Sequence, residues 1–178
     1  MRLFIAINFN DAVRQRIMEL QEQIRAQALR GNFSRPENFH VTLAFLGETP
    51  EERLEHLAAI MERVEAPPFD ISFDHTGFFS RSRKELWWLG ADPSSPGLAI
   101  LKTIQKQLLH DLAKENFFVD ARPFKAHITL GREIKRREFA IVLDCPPINI
   151  HVDHLGLMKS ENIRGVLTYT ELRRRCLT

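Results

Sequence analysis

The sequence predicts one domain of mixed helices and strands, residues 1–178, built from two similar halves. The order strand, helix, strand, helix, strand occurs twice, in approximately residues 1–80 and 85–178, and this period is too long for a solenoid. The middle strand of each half begins with nearly the same tetrapeptide, HVTL at His40–Leu43 and HITL at His127–Leu130. An approximate twofold axis between the halves would bring these two strands to a single cleft.

Hydrophobic periodicity predicts the elements of the first half. Apolar side chains at helical spacing predict a helix from about Asp11. Thr49, followed by Pro50 and by Glu52 three residues on, is typical of the N-cap and first turn of a second helix. The other elements predicted here are a strand Leu3–Asn8, a loop Gly31–Asn38, a strand His40–Leu46 and a half-exposed strand Phe69–His75.

The second half repeats this order after a polar loop. Ser95 and Pro96 predict the start of its helix, and a loop through Arg122 and Pro123 leads into its motif strand. The other elements predicted here are a loop Thr76–Lys84, a strand Glu85–Gly90, a short helix or extended segment Arg136–Val142, a strand Ile148–Met158, a turn Lys159–Arg164 and a final strand Gly165–Leu172.

Charge excludes some classes of protein. With 25 basic and 23 acidic residues the net charge is only +2, which excludes a strongly basic protein that coats nucleic acid but leaves room for a local anion site. Basic residues cluster after the second motif, in the predicted loop near the middle and close to the end. These clusters are Arg132 with Lys135, Arg136 and Arg137; Arg81 with Arg83 and Lys84; and Arg173, Arg174 and Arg175. We expect the last cluster to lie on a solvated face.

The remaining composition favours a cytoplasmic protein. The apolar run Leu3–Ile7 is too short for the core of an export signal or for a membrane span. Cys145 and Cys176 form no Cys-x-x-Cys pair and suggest no disulfide framework, which favours a reducing compartment.

The paired motifs indicate chemistry at phosphorus. Side chains alternate along a strand, so His40 shares a face with Thr42, and His127 shares a face with Thr129. One neutral imidazole can take a proton from an attacking oxygen while the other, protonated, gives one to the leaving oxygen. The hydroxyls can donate hydrogen bonds to the non-bridging oxygens, and this mechanism requires no metal or other cofactor.

With these flanks the motifs resemble those of the two-histidine phosphoesterase superfamily, in its branch of RNA 2′,3′-cyclic phosphodiesterases, also described as 2′-5′ RNA ligases. The similarity covers nearly the whole chain. Its segments are RLFIAINF at the start, FHVTLAFLGE, LWWLG, RPFKAHITLGR, and a final pattern of Ser160, Gly165 and Tyr169.

The resemblance implies an α+β fold that is bilobed, with two pseudo-symmetric halves whose antiparallel sheets line a central cleft and whose helices lie outside. It implies hydrolysis of a terminal 2′,3′-cyclic phosphate to a 2′-phosphomonoester, with His40 as proton donor and His127 as proton acceptor. Thr42 and Thr129 would bind phosphate oxygens.

Two further residues match family positions but have the wrong parity in a regular strand. Arg132 matches an arginine that contacts phosphate, yet it would face away from His127 unless Gly131 relaxes the backbone. Phe45 matches an aromatic residue near the nucleotide base, and its parity with Val41 favours core packing equally.

Other functions stay open at this point. His151 and Asp153 could begin the site of a metal-dependent phosphoesterase, and a non-catalytic module that binds RNA or nucleotides would keep the same cleft. The same site could also join RNA ends through a 2′-5′ linkage, because this ligation is the reverse of the related cleavage. Abundant water favours hydrolysis as the net direction. The expected partners are RNA or oligonucleotide ends with a 2′,3′-cyclic phosphate, tRNA fragments among them; we expect no membrane partner and a monomer.

Overall fold

The computed structural model describes residues 1–81, 84–120, 122–137 and 140–178. Within these ranges the chain forms nine strands and three helices. The helices are α1 Asp11–Gln27, α2 Leu54–Glu62 and α3 Pro96–Lys114. The strands are β1 Arg2–Asn8, β2 Ala28–Phe33, β3 His40–Glu48, β4 Phe69–Arg81, β5 Lys84–Ala91, β6 His127–Arg136, β7 Ile148–Val152, β8 His154–Ile163 and β9 Val166–Cys176.

All described strand pairs are antiparallel and form one sheet in the order β7-β4-β5-β6-β3-β1-β8-β9, with β2 also paired to β6. The two motif strands, β3 and β6, meet at the centre through a single residue pair, Val41 with Ile128. Four strands lie on each side of that junction along the sheet order. The prediction of an α+β fold with antiparallel strands is therefore confirmed. The sequence repeat itself stays a prediction.

The helices and one face of the sheet enclose the main core. α1 contributes Ile17, Leu20 and Ile24, which recur at helical spacing and are buried. This helix begins at Asp11 as predicted, and the Asn10 side chain accepts a hydrogen bond from the Val13 amide at 2.9 Å. No helix in the described part of the chain is long and apolar enough to cross a bilayer.

The start of the second helix was predicted wrongly. Thr49 is buried, and its amide donates to the Met1 carbonyl at 2.7 Å, which ties it to the start of β1 rather than to a helix. A short 3-10 turn, Glu51–Arg53, follows, and α2 begins only at Leu54, after an Arg53 without a capping side-chain bond. In contrast, α3 begins at Pro96 after Ser95, as predicted.

Parts of two predicted loops are strands instead. β2 occupies the beginning of the predicted loop Gly31–Asn38 and pairs with β6. The sequence of β2 does not alternate regularly between apolar and polar residues, and only Ala28 is buried, so hydrophobic periodicity does not predict this strand. β4 likewise continues beyond His75 to form a long hairpin with β5 across the predicted loop Thr76–Lys84. Arg83 lies outside the described residues.

The predicted strand Ile148–Met158 is two strands, because β7 pairs with β4 while β8 pairs with β1. The chain crosses from one half of the sheet to the other at Asp153. The predicted turn Lys159–Arg164 is shorter, since β8 continues to Ile163. Part of the predicted segment Arg136–Val142 lies outside the described residues.

Candidate active site

The two motif strands present their histidines and threonines on one face of the sheet. Val41 and Ile128, the single pair that joins them, are 2% and 0% exposed and face the core. Residues on either side of this pair therefore point to the opposite face. Continuing the register by one residue places His40 opposite Thr129, and Thr42 opposite His127. We call the face that carries these four side chains the histidine face.

Each imidazole is oriented by a carbonyl two residues earlier in the chain. His40 Nδ1 lies 2.7 Å from the Asn38 carbonyl oxygen, and His127 Nδ1 lies 2.7 Å from the Lys125 carbonyl oxygen. A carbonyl only accepts, so each Nδ1 carries a hydrogen and donates it. In the neutral imidazole the other nitrogen, Nε2, is then an acceptor. Both histidines are thus held in the tautomer whose Nε2 can take or return a proton.

The two motifs differ in one contact. His40 Nε2 lies 2.9 Å from the Thr42 hydroxyl oxygen, and with His40 neutral the hydroxyl donates to it. No corresponding bond joins His127 to Thr129 in the part of the chain that the structure describes. In the absence of a ligand, Thr42 therefore occupies the proton-transfer nitrogen of His40, while Nε2 of His127 has no such bond to its neighbouring threonine.

Aromatic rings enclose His40 more than His127. The centre of the His40 imidazole lies 4.9 Å from that of the Phe4 ring and 5.2 Å from that of the Tyr169 ring, and these two rings also contact each other. His127 has an edge contact with Phe79, at 6.1 Å between centroids. Phe4, Tyr169 and Phe79 were not predicted as site residues. Their roles depend on contacts between distant strands, although Tyr169 belongs to the pattern on which the resemblance rests.

Burial and positive neighbours disfavour protonation of both histidines. Burial is the main cause that lowers the pKa of His40 to about 4, and the charges of His127 and Arg132 lower it further. The pKa of His127 is also lowered, first by burial and then by the charges of Lys125 and Arg132. In each case the hydrogen bond to the backbone carbonyl opposes the shift. These shifts favour two neutral imidazoles.

A β-bulge turns Phe45 to the histidine face. In the pairing of β1 with β3, Ala6 lies opposite Thr42 while Ile5 lies opposite Ala44, so Leu43 is an extra residue. Leu43 and Ala44 are both buried, which reverses the parity beyond them. Phe45 then pairs with Phe4 and packs in the small cluster beside His40. The parity argument assumed a regular strand, and the bulge places Phe45 outside the main core, in this small cluster on the histidine face.

A bulge at the corresponding place in β6 does the same for Arg132. Trp88 lies opposite Thr129 while Trp87 lies opposite Gly131, so Leu130 is the extra residue. Leu130 and Gly131 are buried and Arg132 is exposed. The positive charge of Arg132 lowers the pKa of both histidines.

The three arginines near the end of the chain are held in ion pairs. Arg173, Arg174 and Arg175 form ion pairs with Glu55, Glu171 and Glu62, in that order. At least half of the Arg173 and Arg174 side chains is exposed, whereas Arg175 is 18% exposed. The predicted solvated face thus holds for the first two arginines.

His151 and Asp153, the two residues predicted to begin a metal site, contact different partners. His151 Nδ1 lies 2.7 Å from an Asp70 carboxylate oxygen, whereas Asp153 contacts His154. Among the described residues there is no group of three or more histidine, cysteine, aspartate or glutamate side chains placed to hold a metal ion.

The chain matches the family described as LigT like Phosphoesterase over residues 7–88 and 92–168. It is 34% identical over 182 residues to an RNA 2′,3′-cyclic phosphodiesterase of Escherichia coli strain K12, covering 99% of this chain and 97% of that protein. It is 29% identical to a protein of the same name from Thermotoga maritima, covering 90% and 87%. The crystal structure of E. coli LigT complexed with 3′-AMP is similar at a TM-score of 0.83 and 30% identity, covering 99% and 98%.

These similarities confirm the resemblance indicated by the paired His-x-Thr motifs. They also confirm, at the level of the family, the prediction of an enzyme that acts on phosphoric esters. The chain belongs to the LigT-like phosphoesterase family.

Proposed function

We propose that this protein hydrolyses the 2′,3′-cyclic phosphate at an RNA end to a 2′-phosphomonoester, without a metal ion. The observation that carries the proposal is the pair of imidazoles on neighbouring strands, each with Nδ1 bound to a backbone carbonyl and Nε2 left as the proton-transfer atom. Relatives along nearly the full chain are named for this activity.

The reaction needs two proton transfers in opposite directions. His127 Nε2 takes a proton from water as the water oxygen bonds to phosphorus, and the bond from phosphorus to the 3′-oxygen breaks. Protonated His40 gives its Nε2 proton to that departing oxygen. Attack and departure occur on opposite sides of phosphorus, which suits two imidazoles supplied by two different strands. The 2′-oxygen keeps the phosphate.

The other residues of the histidine face stabilise the charge that gathers on the phosphate. Thr42 and Thr129 donate hydroxyl hydrogen bonds to the non-bridging oxygens, and Arg132 supplies a positive charge. To do so, the Thr42 hydroxyl turns from His40 Nε2 to the phosphate, which frees that nitrogen. All of these groups come from one chain, so the proposed working form is a monomer.

The negative charge of the substrate favours protonation of His40. Burial and nearby cations lower the pKa of His40 to about 4. Only a small fraction of His40 is therefore protonated near neutral pH until an anion binds. A phosphodiester anion beside the ring raises the pKa, because it favours the charged imidazolium. Substrate binding and protonation of His40 are therefore coupled.

The test is turnover of an RNA oligonucleotide with a 2′,3′-cyclic phosphate end in the presence of a chelator. We expect full activity with chelator and a 2′-phosphomonoester as the only product, identified by phosphorus NMR. A 3′-phosphate product would reverse the assignment of the leaving oxygen. Loss of activity on chelation that returns with added metal would support the metal-dependent alternative. Binding without turnover would support the non-catalytic module.

A further inference from the structure

Beside His127, the histidine face carries a group of two aromatic rings and a cation that the proposed reaction does not use. This group consists of Trp88, Phe79 and Lys125. Its floor is Trp88, which is 6% exposed and packs against Gly77 on β4 and Gly90 on its own strand. A Cβ atom on Gly77 would stand 2.3 Å from the indole, and one on Gly90 would stand 2.5 Å from the His75 imidazole and 2.8 Å from the indole. The absence of both side chains lets the indole lie against the backbone.

Lys125 lies over this floor. Its Nζ is 3.6 Å from the Trp88 ring centre and 5.1 Å from that of Phe79, both within the range of cation–π attraction. The carbonyl of the same residue binds His127 Nδ1, and its ammonium charge helps to lower the pKa of His127. Lys125 thus holds a positive charge at a defined place beside the proposed reacting phosphate.

Phe79 gives this group an exposed ring. Its side chain is 46% exposed although it lies on a strand, and its ring is 5.5 Å from Trp88 and 6.1 Å from His127. An exposed aromatic ring beside a fixed cation matches a nucleotide, which offers a base that stacks and a phosphate that attracts the cation. Phe45, on the side of the histidine face that carries His40, offers a second ring, against which the terminal base would stack in this arrangement.

We propose that Phe79 and Lys125 form a subsite for the nucleotide that precedes the cyclic phosphate end of a single-stranded RNA. Phe79 stacks on the base of that nucleotide, and Lys125 contacts the phosphodiester that links it to the terminal nucleotide. This inference rests on the proposed function, and it makes oligonucleotides better substrates than mononucleotides. A mononucleotide has one base and cannot occupy both Phe45 and Phe79.

The experiment compares kcat/KM for an RNA oligonucleotide with a 2′,3′-cyclic phosphate end and for a nucleoside 2′,3′-cyclic phosphate. Wild type should prefer the oligonucleotide, and Phe79→Ala should reduce this preference about tenfold, as expected for loss of one stacked base. Lys125→Met should reduce it too and lower the salt dependence of oligonucleotide kcat/KM by about one unit of slope on logarithmic axes.

Phe78→Ala is the matched control. Phe78 is the neighbouring residue and is 40% exposed, but it lies on the opposite face, stacked on Trp87 at 5.2 Å. This variant should keep the wild-type preference for the oligonucleotide. Circular dichroism and thermal unfolding of all variants check that each is folded.

Three results would overturn the subsite. They are equal kcat/KM of wild type for the two substrates, an unchanged preference in Phe79→Ala, and an equal loss in Phe78→Ala. Wild type inactive on both substrates would instead overturn the proposed function. The subsite would then be tested by fluorescence anisotropy with the same oligonucleotide, where Phe79→Ala should bind about tenfold more weakly than Phe78→Ala, and equal affinities would overturn it.

Discussion

Phe45 and Arg132 each lie five residues after a motif histidine, Phe45 after His40 and Arg132 after His127. Each follows a bulge, at Leu43 or at Leu130, that turns it to the histidine face. The strand of the first motif thereby adds an aromatic ring to the histidine face, and the strand of the second adds a cation. This difference suits a nucleotide, since a base and a phosphate need different neighbours.

Arg132→Met should weaken phosphate binding and catalysis together. Loss of a charge-assisted contact predicts a fall in kcat/KM of roughly 10- to 100-fold. Because the arginine charge lowers the pKa of both histidines, its removal should raise both pKa values, and NMR titration measures this directly. Lys135→Met is the control on the same strand; an equal loss there would indicate a diffuse charge effect rather than a contact.

Both histidines should be needed for turnover. His40→Ala and His127→Ala should each lower kcat by about 10² or more with the fold intact, and the double variant should lose far less than the product of the two effects. The control is His151→Ala, whose ring bonds Asp70 on an exposed part of the sheet. A large loss in His151→Ala, or near-normal activity in either motif variant, would contradict the assigned roles.

The titration of His40 should respond to its aromatic neighbours and to phosphate. NMR should give a pKa of about 4 without ligand and a higher value with inorganic phosphate, since the anion stabilises the imidazolium. Tyr169→Ala removes part of the enclosure and should raise the pKa, whereas Tyr169→Phe retains the ring and should not. A His40 pKa near 6.5 in wild type without phosphate would show that burial does not lower this pKa.

The same pKa predicts how stability depends on pH. Unfolded His40 titrates at its ordinary value of 6.5, and folded His40 at about 4, so the unfolded chain binds more protons between these values. The stabilising contribution is complete above pH 6.5 and is lost as pH falls through that window. Urea unfolding measures the free energy of unfolding at pH 7 and at pH 5. The decrease from pH 7 to pH 5 should be larger in wild type than in His40→Gln, by up to about 2 kcal/mol. Equal losses in the two proteins would contradict this.

The sequence was sufficient for the parts of the site that depend on local pattern. His40, Thr42, His127 and Thr129 share a face because strand alternation is a local rule, and the two motifs fix where it applies. The placement of Phe45 could not be predicted, because a bulge depends on the pairing partner. β2 was missed for a related reason, since its pairing with β6 is what makes its mixed side chains a strand.

Gly77→Ala should destabilise the protein through a single contact. The new methyl would stand 2.3 Å from the Trp88 indole, which is itself held between β4 and Lys125. Overpacking of this kind costs about 1–3 kcal/mol, measurable by urea unfolding. Trp88→Leu shortens the opposing side chain, so Gly77→Ala should cost much less in that background than in wild type. An equal cost in both backgrounds would mean that the destabilisation arises from the glycine backbone rather than from the indole.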